Sequence, residues 1–257
     1  MDWAQLTLFL YITMRMSGFV LFNPLLGRNN SPAIVRAGLV LVLASAVFAG
    51  SGSAAVAVPA TLLELVVRLL LELLLGFAVG FVMHLFFMIP SLAGFTMDSQ
   101  MGMSMASTYD AGSQMNSSVT STLLNVLMIL LFFAAGGHQT LFRILLTSGD
   151  VVAFGAVSLG ADMANAMVEL FIQTFLLAVQ LSLPVLAAEL IGQVGMGILM
   201  KAIPQINAFV INIELKVIIG LALLLMFLTP LNEFLLAVEQ EMLFQLRQAL
   251  TVLSGSG

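Results

Sequence analysis

Leu62–Phe87 reads LLELVVRLLLELLLGFAVGFVMHLFF. Apolar residues fill nearly the whole run, with no period-two alternation and no turn residues to divide it. Crossing about 30 Å of hydrocarbon takes about 20 helical residues, and this segment is longer than that. A helix apolar around its whole circumference belongs in lipid or in the interior of an assembly. Pro90 is expected to close it, because proline removes a backbone donor. Glu64, Arg68 and Glu72 are spaced i, i+4, i+8 and so share one face, where they can pair along the helix or meet a neighbouring subunit. An ionisable group at bilayer depth costs about 2.5–3.5 kcal/mol unless it is paired or faces protein or water. Gly76 and Gly80 stand four apart, a spacing that lets a second helix approach closely.

The rest of the chain repeats this character. Hydrophobic residues make up 61% of the 257 residues and charged ones 8%, with a mean hydropathy of +1.12. Soluble domains carry about 25% charge, so the surplus apolar surface must face lipid or partner proteins. Further apolar segments are expected at about 6–22, 34–49, 119–135, 164–191 and 209–228, with a short helix at 139–147 and a last helix from Pro230 to about Leu253. Roughly five or six of these segments are long enough to span. Polar breaks fall at 28–32, 50–53, 109–118 and 148–161, and Pro184 is expected to kink its helix. Glu233, Glu239, Glu241 and Arg247 give the last helix an expected wet face. The sequence therefore specifies an all-α, multi-pass integral membrane protein with kinked helices and hairpins. Met1-Asp2-Trp3 has no basic lead and does not read as a cleavable signal.

There is no cysteine, and the two histidines, His84 and His138, lie on different segments. No thiolate, metal-ligand or nucleophile spacing is present, so neither an enzyme nor a cofactor is expected. Basic residues are scattered singly, which does not suit nucleic acid. Met97, Met101 and Met105 recur at helical spacing, with Met103 and Met115 close by. Such a stripe ordinarily packs a core, but flexible thioethers also suit the rim of a deformable pore. The stripe leads into Tyr109–Ser118, the most polar interior run. A small-molecule transporter or channel, with His84, Glu189, Glu214 and Lys216 along its path, is the competing reading.

Several runs taken in order are similar to the FliR family, the flagellar biosynthesis proteins of the type III export apparatus, and to their relatives in virulence secretion. They are Gly94–Asp110 with its Gln100-Met101-Gly102 core, Gly137-His138, Leu183-Pro184 leading to Ala188-Glu189, Pro204-Gln205-Ile206-Asn207-Ala208-Phe209, and Leu215-Lys216 before Gly220. The chain departs from the family pattern at Ala111 and Gly136, and at Asn212 and Glu214, where Glu214 puts an acid beside Lys216. The resemblance implies a hetero-oligomeric export gate built with FliP- and FliQ-like subunits and an FlhB-like partner, in the bacterial inner membrane at the flagellar basal body. Unfolded proteins would pass through its pore. It implies a FliP-like part at 1–185 and a FliQ-like hairpin with the amphipathic C-terminal helix at 186–257. It also implies a pore plug at Tyr109, Asp110, Gly112, Ser113, Gln114, Met115 and Asn116, flanked by Met101, Met103 and Met105. Glu64, Arg68, Glu72, Glu214 and Lys216 are the candidate charge contacts, between subunits or within the membrane.

Overall fold

In the computed structural model, residues 3–27, 32–51, 58–103, 118–157, 161–202 and 208–253 are described. Every element among them is an α-helix: α1 (Trp3–Phe22), α2 (Ala33–Gly50), α3 (Leu62–Met101), α4 (Val119–Ala134), α5 (Gly137–Leu146), α6 (Ser148–Val151), α7 (Ala161–Ala202), α8 (Ala208–Met226) and α9 (Leu228–Leu253). Among the described residues, four helices are long and apolar enough to cross a membrane, and six are if each bent pair of helices counts as one span. The chain is thus an all-α, multi-pass membrane protein.

Two of these helices overrun their expected ends. α3 does not stop at Pro90 but continues through it to Met101. α7 runs through both Pro184 and the glycines at 192, 195 and 197 to Ala202. A proline removes one hydrogen bond, but apolar surroundings penalise any further unpaired backbone group, and that keeps the helix going. As a result Met97 and Met101 belong to the same helix as Glu64.

The chain divides into two compact units. The first comprises Met1–Phe86, Gly136–Ile172 and Gln240–Gly257. In it α1 and α2 form an antiparallel hairpin, with the Phe9 and Phe48 rings edge to face at 5.7 Å. α1 runs parallel to the first part of α3, and the two backbones touch. A Cβ on Gly76 would strike the Arg15 carbonyl, and one on Gly18 would strike the Leu73 carbonyl. The Gly76–Gly80 pair therefore does pack a helix, with Gly18 answering from α1. Tyr11, Ile12, Met16, Phe19, Leu75, Val79 and Val82 fill this core, and Met242, Leu246 and Leu250 of α9 join it at i, i+4, i+8.

The second unit comprises Phe87–Ala135 and Gln173–Glu239. Here α4 returns antiparallel to the end of α3, with Phe87 and Phe132 in edge contact at 6.1 Å. α7 and α8 form a second hairpin, in which Gly192 faces Ile219. Leu124, Met128, Val185, Leu224 and Leu235 are buried in this core.

Candidate functional site

In the first unit, Arg15 on α1 is 1% exposed and Glu72 on α3 is 0% exposed, and they form an ion pair. Arg15 Nε donates to Glu72 Oε2 at 2.6 Å and Nη2 donates to Oε1 at 3.1 Å, a two-pronged arrangement. Its other donors hold the backbone of the 148–155 strap: Nη1 donates to the Ser148 carbonyl at 3.1 Å and Nη2 to the Val152 carbonyl at 3.0 Å. Glu72 holds the same strap from the other side, because the Gly155 N–H donates to its Oε1 at 2.7 Å. The Phe154 ring lies 4.2 Å from the guanidinium carbon. Arginine suits this place because its planar fork can serve a carboxylate and two carbonyls together. The cluster ties α1, α3 and the strap into one body.

Glu64, Arg68 and Glu72 therefore do not act as one ladder. Arg68 donates to Glu64 Oε1 at 2.5 Å on a half-exposed surface. Glu64 also accepts from the Ala60 N–H at 2.9 Å, and Thr61 Oγ1 caps the Glu64 N–H, so this pair doubles as the start signal of α3. Glu72, one turn further on, turns to Arg15 instead. Arg15 falls inside the apolar segment at 6–22, and nothing in the sequence supplies its partner. The available signal was a lone arginine facing an acid-bearing segment that also carries a glycine pair.

The second unit holds the methionine stripe. Met101 is fully buried. It packs where a Cβ on Gly220 of α8 would meet both Met101 and Glu189 Oε1. Met103 is half-buried. Gly102 has φ +77°, a left-handed turn that glycine adopts without strain. Met105, Tyr109, Asp110, Gly112, Ser113, Gln114, Met115 and Asn116 lie outside the described residues, as do Pro204, Gln205 and Asn207. Phe209 falls in α8. Glu214 is exposed and Lys216 half-buried. Gly137 is buried in the first turn of α5, beside a half-buried His138.

Glu239 corrects an expectation. It is not on a wet face but 2% exposed, aligned with the buried Leu235, Val238 and Met242. The exposed face of α9 is carried by Glu233, Arg247 and Gln248. Asp98 was also passed over by sequence reading. It is 4% exposed and binds the start of α4.

A sequence profile of the bacterial export proteins, family 1, matches residues 6–242. The chain belongs to this family. The export protein is 26% identical to the flagellar biosynthetic protein FliR of Escherichia coli over 82% of its length and 80% of the relative's. It is 26% identical to FliR of Bacillus subtilis, covering 81% of each chain. It is 29% identical to the Yop proteins translocation protein T of Yersinia pestis, over 82% of this chain and 81% of that one. It is thus a subunit of a bacterial export apparatus, and its relatives serve flagellar biosynthesis and protein secretion.

Proposed function

We propose that this export protein is a subunit of the export gate of a type III secretion apparatus, flagellar in kind. With FliP-like and FliQ-like subunits, and beside an FlhB-like partner, it forms the closed pore through which unfolded proteins leave the cell across the inner membrane. In this reading residues 1–185 supply the FliP-like part and 186–257 the FliQ-like hairpin. The plug is Tyr109–Asn116, with Met101, Met103 and Met105 at its rim. Glu214 and Lys216 contact neighbouring subunits.

The observation that supports this reading is the reach of α7 as an apolar surface. Val168, Ile172, Val179, Leu190, Val194 and Ile198 are all exposed along it. At 1.5 Å per residue they extend over about 45 Å of helix. The hydrocarbon core is about 30 Å thick. Lipid cannot cover the whole stripe of an upright helix, so sister polypeptides must shelter the remainder. A partner-dependent gate subunit fits that need.

The test is expression with and without the neighbouring export subunits. Co-purification with them, and aggregation alone, is expected. A chain that is stable and monodisperse alone in detergent, and that carries a small solute into liposomes, would overturn the reading. Deletion of Ala111–Ser117 with assembly intact is expected to raise small-molecule leak, and no rise would reject the plug. Loss of filament assembly when the gene is deleted checks the flagellar assignment.

A further inference from the structure

The end of α3 and the start of α4 are joined by polar and small residues at matching helical spacing. α3 offers Ser91, Gly94 and Asp98, and α4 offers Ser118, Ser121 and Asn125. At one end of the hairpin, Asn125 Nδ2 donates to Ser91 Oγ at 2.7 Å and Ser121 Oγ donates to the Ser91 carbonyl at 2.6 Å. In the middle, Gly94 leaves the backbones in contact, since a Cβ there would strike the Ser121 N and Cα. At the other end, Ser118 Oγ donates to Asp98 Oδ2 at 2.5 Å and the Thr120 N–H donates to the same oxygen at 3.1 Å. Ser118 Oγ in turn accepts from the Ser121 N–H at 3.0 Å.

These ends differ in kind. The Ser91 end is neutral and duplicated, with two donors on one residue. The Asp98 end holds the only ionisable group of the set, and that group meets the unpaired N–H groups and positive pole of α4. Asp98 thereby caps a helix to which it does not belong. Its second oxygen, Oδ1, is buried with no hydrogen-bond partner. Its hydrogen bonds therefore all reach the start of α4 through one oxygen, and losing the Ser118 hydroxyl would leave a desolvated carboxyl held by the Thr120 N–H alone.

We propose that Asp98 is a positioning residue that latches the loop end of the α3–α4 hairpin and so fixes the spacing between the two helix ends, at Met101 and Ser118. This deepens the proposed function and rests on the plug reading only for its effect on leak, because those two residues flank the segment assigned to the plug.

The chain has no cysteine, so paired labels are unambiguous. Spin labels at S99C and T122C, both on exposed positions of the hairpin, report its width in the full chain purified with its export complex. Wild type is expected to give one narrow distance distribution. Loss of a capping interaction corresponds to about a 5- to 30-fold larger opened population, so D98A should broaden and lengthen the distribution. S118A should do so less, and it guards against a misfolded D98A. D98N, which keeps a hydrogen-bond acceptor but not the charge, should restore the width only in part. An unchanged distribution in both D98A and S118A overturns the latch. If the deletion of 111–117 raises leak but D98A alters neither width nor leak, the latch fails and the plug stands. If D98A widens the hairpin while the deletion causes no leak, the latch stands and the plug fails.

Discussion

Replacing Arg15 by methionine tests how the first unit is held together. The substitution keeps an unbranched apolar stem in the core but removes the charge. Glu72, fully buried, then faces only the Gly155 N–H, and the Val152 carbonyl loses its donor, whereas the Ser148 carbonyl keeps the Val152 N–H. Stripping one partner from a buried pair costs about 3–5 kcal/mol, chiefly through the stranded charge. Marginal total stabilities of about 5–15 kcal/mol make that a large fraction. At about 2–4 °C per kcal/mol for a chain of this size class, the fall in melting temperature should be about 6–20 °C. The double variant R15M/E72L removes the charge altogether but still leaves the strap's Gly155 N–H and the Val152 carbonyl unpaired. It should recover about half of the loss, because buried unpaired backbone groups still cost about 1–3 kcal/mol each. Thermal unfolding followed by size-exclusion chromatography in detergent measures the series, and E72L alone closes the double-mutant cycle. An R15M variant within about 3 °C of wild type, or a double variant no better than the worse single, would refute the clamp.

Gly76→Ala should destabilise by about 1–3 kcal/mol, because its methyl group meets the rigid Arg15 carbonyl. Gly38→Ala, which meets open space on a helix of the same unit, should be neutral or slightly stabilising by helix propensity, by up to about 1 kcal/mol; parallel melting curves compare them. Glu64→Ala should cost only about 1 kcal/mol despite removing an ion pair and a capping contact, since the pair is half-exposed. A loss matching that of Glu72→Ala would contradict the separation of the two pairs. Glu239→Met should leave stability unchanged or raise it by about 1 kcal/mol, since the buried Oε2 has no partner to lose. A clear fall in melting temperature would point to a partner for that carboxyl in the assembly.

The sequence by itself determined the class of the molecule. Runs such as Leu62–Phe87 are too long and too apolar for a soluble body, and the helical spacing of Gly76–Gly80 already announced a close helix partner. Order of motifs also sufficed for the family, because Gln100-Met101-Gly102, Gly137-His138 and Pro204-Gln205 survive as local strings. Tertiary structure alone decided which charges meet. Glu64 and Arg68 pair across one helical turn, a distance that spacing encodes. Glu72 pairs with Arg15, 57 residues away, which depends on how α1 lies against α3. The same holds for Glu239, whose place on the buried side of α9 depends on the direction from which the core approaches. The overrun of Pro90, and of the glycines at 192, 195 and 197, was likewise hidden. A proline's local cost is legible in the sequence, whereas the dry surroundings that make unwinding costlier exist only once the helices have packed.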